Sequence, residues 1–398
     1  MNMLETIEKP KIFQNYWPPK GSKIAVCMSG GVDSSTSAFI LKQKGYEVIG
    51  ITGWLIKGSG RCCDNGMVDA SKVCEQIGVK HISKDLRIFF KQEIVDPFIG
   101  SYASGSTPIP CITCNNIIKW GSLMDYALGE LGCTHIATGH YAKIIKDGDV
   151  FKIVRSKDTK KDQTFMLWGL TQDVLSKTVF PLADLTKDKV REVAVEACHG
   201  KPLCVADKEE SQDICFVSDK EGTQGFLGKY LQTKAGQIIE YKSEKILGTH
   251  DGTYNYTIGQ RKGLGIAHPE PLYVIKLDVE KNIVYVGTKD ELEGYELIAK
   301  DVNWILPQNV IPGLTGNPDN DTIGNSLDSR FRGNDNLIKV MAKIRYNSKT
   351  TPATVEILDD NKAKVIFDKP VDAITPGQAC VFYDKTDQIL LGGGWISL

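Results

Sequence analysis

The sequence predicts an α/β fold, a doubly wound parallel sheet, followed by a small mainly β central domain and a C-terminal β-barrel. Three observations predict it. From Lys23, KIAVCMSGGVDSSTSAFILKQKGYEVIGIT reads as strand, Gly-rich turn, helix, a glycine stop at Gly45 and a second strand, which together make a βαβ unit. Helical patterns at Val68–Ile77 and Ile117–Leu131 alternate with short apolar runs such as THIATG, Thr134–Gly139, so the layering continues to about residue 180. After about residue 220 the pattern changes to short strands punctuated by Gly, Asp and Asn. Within LYVIKLDVEKNIVYVG, Lys281-Asn282 lies between two alternating runs, as a hairpin requires.

A chain of 398 residues exceeds the roughly 100–200 of one domain, so several are expected. The first is placed at 22–180, rejoined by about 206–222; the central one at 181–205 and 223–294; the barrel at 295–398. TKDKVREVAVEACHG, Thr186–Gly200, begins with a threonine cap, keeps helical spacing and stops at glycine, which reads as a connecting helix. From Pro312 to Asn336 the chain is mostly Gly, Asn, Asp, Pro and Ser without hydrophobic period, and is read as a disordered insertion in which Arg330 and Arg332 are surface residues. The segment before Lys23 has no apolar signal core and is read as a short extension.

Hydrophobic residues make up 41% and charged residues 24%, and no run approaches the roughly 18 apolar residues of a membrane span. A soluble, cytoplasmic, monomeric chain is the expectation. Eleven cysteines spread over this length make reduced thiols the default. Cys27, Cys74, Cys133 and Cys198 sit in apolar or helical patterns and read as small core residues. With a net charge of −1, any basic surface for a nucleic acid has to be local.

SGGVDSS, Ser29–Ser35, follows a strand and opens a helix; its glycines let the backbone approach a ligand while helix N-terminal amides face an anion. It lacks the lysine of a Walker loop and is not GxGxxG. The plain alternative is a tight capped turn. The loop resembles the pyrophosphate loop of N-type ATP pyrophosphatases, which transfer AMP to an oxygen and release pyrophosphate. With ATGHYA (Ala137–Ala142), KDQTFML (Lys161–Leu167), FPLADLTKDKVR, ESQDICFV, YTIGQRKGLGIAHPEPLYV, TPGQACVFYD and LGGGWI, the chain resembles the bacterial tRNA-specific 2-thiouridylases from about Lys23 to Ile396, the insertion excluded.

That resemblance implies an ATP-dependent enzyme that thiolates the wobble uridine of tRNA. It assigns ATP to Cys27, Met28, Ser29, Gly30, Gly31, Val32, Asp33 and Ser34, with Gly53 and Gly139, the glycines being explained by close backbone approach to the nucleotide. Mg²⁺ is implied by ATP chemistry. Replacing a carbonyl oxygen by sulfur needs an activated oxygen, a sulfur donor and a group to break the donor's S–S bond. By resemblance Cys215 matches the persulfide carrier and Cys114, followed by Asn115, the other catalytic cysteine.

Many relatives carry Pro-Asp where this chain has Pro110-Cys111. Three readings of Cys111 stand: a neutral structural replacement, a thiol competing in disulfide exchange, or a third thiolate with Cys114 and Cys215 for a [4Fe-4S] cluster. Zinc would need a fourth ligand, for which only Cys62 and Cys63 offer themselves, and these read as loop thiols.

KVMAKIRYN, Lys339–Asn347, alternates Val340, Ala342 and Ile344 on one face with Lys339, Lys343 and Arg345 on the other, a basic face that suits phosphates and equally suits water. The resemblance matches Arg345 and Tyr346 to a tRNA-contacting pair, as it does Lys161, Asp162, Gln163, His140 and Gln378, and Ile109, Pro110 and Cys111 to the lining of the target base. It further implies the tRNAs for Lys, Glu and Gln as substrates, and a persulfide-donating relay protein or cysteine desulfurase as partner. An amidating ATP pyrophosphatase and a non-enzymatic RNA-binding module are the competing readings; the cysteine pair counts against both.

Overall fold

The computed structural model describes residues 14–57, 64–198, 200–209, 214–218, 220–307, 310–311, 337–358 and 361–397. The expected insertion at 312–336, with Arg330 and Arg332, and the loop thiols Cys62 and Cys63 lie outside them. The expected extension is described from Gln14, and Asn15 ties it down. That side chain donates to the Phe180 carbonyl (3.1 Å) and accepts from the Ile144 amide (3.3 Å), which fastens it to the first domain.

The first sheet is built from β1 (Lys23–Cys27), β2 (Glu47–Trp54), β3 (Lys80–Asp85), β4 (His135–Ala137) and β7 (Thr178–Val179), in the order β3-β2-β1-β4-β7 with every pairing parallel. Ile24, Ala25 and Val26 in the middle strand are fully buried, as a strand covered on both faces requires. Helix α1 (Val32–Gln43) crosses from β1 to β2, and α2 (Asp64–Ile77) from β2 to β3. The strand order leaves β1 in one direction toward β2 and in the other toward β4, so the carboxyl ends of β1 and β4 flank a topological switch point, where such sheets bind ligands.

A central sheet joins β8 (Gly236–Glu240), β9 (Ile246–His250), β10 (Tyr273–Asp278) and β11 (Ile283–Gly287), with Asn282 at φ +54° in the expected hairpin turn. The connecting helix runs Lys187–Glu196, and its Thr186 cap accepts from the Lys189 amide. The C-terminal strands β12 (Glu293–Trp304), β13 (Leu337–Lys343), β14 (Thr351–Ile357), β15 (Ala363–Asp372), β16 (Ala379–Tyr383) and β17 (Ile389–Ser397) close through pairing of β12 with β17, giving the expected barrel.

The sequence pattern left one pairing unseen. The hairpin of β5 (Lys143–Asp147) and β6 (Val150–Val154) adds to the barrel, with Ile389 opposite Val154 and Leu390 opposite Ile153. The two layers share a core: Trp168 packs edge-on to Trp395 at 5.4 Å, and Thr164 Oγ1 meets the Tyr383 hydroxyl at 3.1 Å. Arg155, on the strand end, pairs with Asp162 at 2.8 Å and Asp387 at 2.6 Å and lies over the Tyr383 ring. Asn303 completes the seam by donating to the carbonyls of Trp168 (2.7 Å) and Leu170 (3.1 Å). Asn303→Ala leaves both carbonyls without that donor and is expected to cost about 1–3 kcal/mol in urea unfolding; an unchanged midpoint would show that the seam does not depend on it.

Candidate active site

Residues 28–31 turn the chain from β1 into α1. Gly30 sits at φ +70°, and a Cβ there would lie 2.3 Å from the Gly66 carbonyl oxygen, so only glycine fits. Ser34 Oγ donates to the Gly31 carbonyl and accepts from the Ser29 amide, both at 3.2 Å. Met28 is buried and held on both sides, its amide on Ile51 and its carbonyl on Thr52 Oγ1. No side chain caps the N-terminus of α1, which leaves first-turn amides and the positive end of the helix for an anion. Gly139 backs onto this turn, where a Cβ would stand 2.7 Å from the Ser34 nitrogen. Gly53 is enclosed by apolar side chains. An added Cβ would meet the side chains of Leu55 and Leu86 at 3.2 and 3.3 Å, so apolar packing already limits that position.

Two lysines that the sequence reading passed over hold the loop. Lys187 is 8% exposed and donates to Asp33 Oδ1 at 2.7 Å, beside the Tyr141 hydroxyl at 2.8 Å. Lys208 donates to the Gly30 carbonyl at 2.9 Å and pairs with Asp69 at 2.7 Å. A third, Lys119, donates to Asn115 Oδ1 at 2.9 Å. The signal for Lys187 was in FPLADLTK, but a lysine in the first turn of a helix reads as solvated surface. Burial pushes the Cys27 thiol up to about 12, with the charge of Lys119 working against it. Burial also holds His140 well below the usual imidazole range, and Lys119 lowers it further. His140 is therefore neutral at physiological pH, its Nδ1 2.7 Å from Thr138 Oγ1 and its ring 5.5 Å from Trp120.

The cysteines come from two distant segments. Pro110 starts a helical turn, Pro110–Cys114, that continues into a π-helix, Asn115–Leu123, broken from helical geometry at Gly121. Cys111 is exposed, Cys114 half-buried and Asn115 buried, its amide donating to the Met166 carbonyl at 3.0 Å. Cys215 is also half-buried, and the next residue, Phe216, stacks edge-on against Phe98 at 5.1 Å. Phe98 in turn lines a cavity of about 250 Å³ with Ile109, Pro110 and Thr113. Cys114 and Cys215 both pack against the core that joins the first domain to the barrel. Among the described residues no three His, Cys, Asp or Glu side chains gather in a metal-holding group. Cys111, Cys114 and Cys215 form no such group.

The other predicted contacts divide. Gln378 donates to the Thr107 carbonyl at 2.8 Å, and the Thr107 amide donates to Pro376, so TPGQ on the barrel pins the segment that leads to Ile109, Pro110 and Cys111. Tyr346 is half-buried with its ring 6.0 Å from Phe165; burial raises its phenol, and the charges of Asp162 and Cys111 raise it further, which places Cys111 near it. Asp162 is buried, bound by Arg155, the Ser156 amide and Thr164. The Gln163 side chain receives the Tyr141 amide, and Lys161 is half-buried beside them. His140 is equally buried, so neither its ring nor the Asp162 carboxylate lies on an open surface.

The basic strand face needs correction. The strand ends at Lys343, and Arg345 lies beyond it, donating to the Asp372 carbonyl at 2.9 Å. Lys343 stands over the rings of Phe165 and Tyr346, 5.7 Å from each, and only Lys339 is openly exposed.

A HUP-type nucleotide sheet with an uncapped loop at its switch point, followed by a cysteine-bearing turn pinned to a β-barrel, defines an ATP-using PP-loop enzyme. Three family models match in series: the tRNA methyl transferase HUP domain over residues 22–219, the tRNA methyl transferase PRC-barrel domain over 224–288 and the aminomethyltransferase beta-barrel domain over 295–396. The tRNA-specific 2-thiouridylase MnmA of Nostoc punctiforme is 45% identical over 377 residues, covering 94% of this chain and 98% of that protein. The Rippkaea orientalis protein of the same name is 42% identical over 379 residues, covering 95% and 100%. A solved U34-tRNA thiolase, NcsA from Methanococcus maripaludis, aligns loosely, with a TM-score of 0.32 and 20% identity over 50% of this chain and 61% of that one. The chain belongs to the tRNA-specific 2-thiouridylase family, and with it to the tRNA sulfurtransferases.

The Lys187–Asp33 pair generates a prediction. Lys187→Met leaves the Asp33 carboxylate unneutralised beside the anion loop, so ATP binding by calorimetry should weaken at least roughly tenfold. An unchanged affinity would remove the pair from nucleotide binding.

Proposed function

We propose that the chain replaces the C2 oxygen of the wobble uridine of tRNA by sulfur, using ATP bound at Cys27–Ser34 with Gly53 and Gly139. The uridine C2 oxygen attacks the α-phosphorus, the bond to the β-phosphate oxygen breaks, and pyrophosphate leaves; N3 gives up its proton and recovers it in the product. The outer sulfur of a persulfide on Cys215 then attacks C2, and AMP departs with the oxygen. The Cys114 thiolate attacks the Cys215 sulfur, and the S–S electron pair goes to the sulfur now on C2. A Cys114–Cys215 disulfide remains, to be reopened by a thiol reductant.

The observation that carries this reading is that Cys114 and Cys215, from distant segments, both pack against the core shared by the nucleotide domain and the barrel. It supports a thiol pair over either thiol alone. The pinning of Thr107 by Gln378 supports Ile109, Pro110 and Cys111 as the lining of the target base, and the position of Tyr346 near Cys111 supports a tRNA contact there. Extrusion of a stacked wobble base into this region would cost roughly a few kcal/mol. We read Lys161, Asp162, Gln163, His140 and Arg345 as shaping that surface, the buried ones by holding backbone in place. Mg²⁺ would travel with the triphosphate, held by phosphate oxygens and water. The division at about 180, 206–222 and 295, the tRNAs for Lys, Glu and Gln, a persulfide-donating partner, a monomeric state and a cytoplasmic location complete the proposal. No described helix is long and apolar enough to cross a membrane.

Cys114→Ser and Cys215→Ser should each abolish thiolation, measured by mass spectrometry of digested tRNA, while tRNA affinity stays within a few-fold. Thiolation at the normal rate by Cys114→Ser would sink the two-thiol scheme.

A further inference from the structure

Three lysines surround the nucleotide loop, and they are not equivalent. Lys187 is neutralised by Asp33 and Lys208 by Asp69. Lys119 is held differently. Its ammonium donates to the side-chain oxygen of Asn115, a neutral amide that is itself 2% exposed and fixed at its other end on the Met166 carbonyl. Among the described residues no carboxylate pairs with Lys119, so its full charge remains for an incoming anion.

Its position is set by three constraints. Lys119 lies in the π-helix that begins directly after Cys114, and π-segments recur at functional sites because the widened turn re-aims side chains. The next residue, Trp120, is anchored by an indole bond to Thr178 Oγ1 at 2.9 Å and packs on the His140 ring. His140 follows Gly139, which touches the first turn of α1. The charge of Lys119 acts on both Cys27 and His140, which flank the carboxyl ends of β1 and β4. Lys119 therefore stands at the switch-point crevice, between the start of the phosphate loop and the turn that carries Cys114.

We propose that Lys119 is a catalytic residue of the adenylation step, its ammonium contacting the α-phosphate oxygens and stabilising the charge that builds on them as pyrophosphate leaves. The proposal rests on the ATP-dependent reading above. The chemistry favours it: a fixed cation with a neutral partner in a half-buried crevice needs no reorganisation when charge develops, and such groups act on the transition state more than on substrate binding. In phosphoryl and nucleotidyl transfer, where positioning and charge stabilisation dominate, a donor of this kind is worth roughly 10²–10³ in rate. Asn115 is then a positioning residue that aims the ammonium without quenching it.

The test is a single-turnover measurement of pyrophosphate release on the full chain with ATP, Mg²⁺ and tRNA, the sulfur donor withheld, alongside calorimetric affinities for ATP and tRNA. Lys119→Met should slow the pyrophosphate burst at least about 100-fold with both affinities within a few-fold, and Lys119→Arg should recover part of the rate. A burst at the wild-type rate in Lys119→Met overturns the proposal. So does a loss matched by an equal loss of ATP affinity, since that is ground-state binding alone. A normal burst with slowed thiolation would place Lys119 on the thiol step and equally overturn it. Absence of the burst in the wild type would overturn the functional reading itself, and this inference with it.

Discussion

The pairing of buried Lys187 with half-buried Asp33 is the interaction on which the site depends. Asp33 lies in the first turn of α1, where a carboxylate suits the helix dipole but opposes a triphosphate. Lys187 cancels that opposition and, through its amide on Asp158, fixes the connecting helix to the loop that precedes KDQ. Tyr141, following His140, reaches the same carboxylate oxygen. One aspartate thus gathers the phosphate loop, the ATGHY segment and the connecting helix. Lys208 adds a fourth strand of this arrangement by bonding the Gly30 carbonyl a few residues before the segment of Cys215.

The barrel has a comparable role on the other side. Its TPGQ turn holds Thr107, and its Tyr346 stands near Cys111. The cysteine turn is therefore clamped between a nucleotide domain that positions Asn115 through Met166 and a barrel that positions the chain entering Pro110. A reaction that must bring an activated base to a thiol gains from such fixed geometry, because effective concentration falls steeply with misplacement.

The parts of the site legible in the sequence were those whose chemistry is local. SGGVDSS declared a turn and an open helix end because glycine and the strand-helix transition are read within a few residues. The Lys281-Asn282 hairpin and the Thr186 cap were legible for the same reason. Lys187 and Lys208 were not, since each acquires meaning only from a partner far along the chain, Asp33 and Asp69; Lys119 was not, since its bond to Asn115 is local and its place beside Cys27 and His140 is set by the fold. The alternation in KVMAKIRYN gave the correct inward face, Val340, Ala342 and Ile344, but could not reveal that Phe165 would take Lys343 from solvent. The pairing of β6 with β17 was similarly hidden, because edge choice between strands is decided by tertiary packing rather than by period. Cys114 and Cys215 were assigned through family resemblance, and the core against which both pack emerged only from the fold.

The central claim is that Cys114 and Cys215 act as one unit in sulfur transfer. The most direct measurement is peptide mass spectrometry of the full chain after one turnover, with Cys215 pre-loaded as persulfide, ATP, Mg²⁺ and tRNA present and reductant absent. The account predicts a Cys114–Cys215 disulfide formed in step with each thiolated uridine. Thiolated tRNA with no such disulfide, or a disulfide joining Cys111 instead, would contradict it.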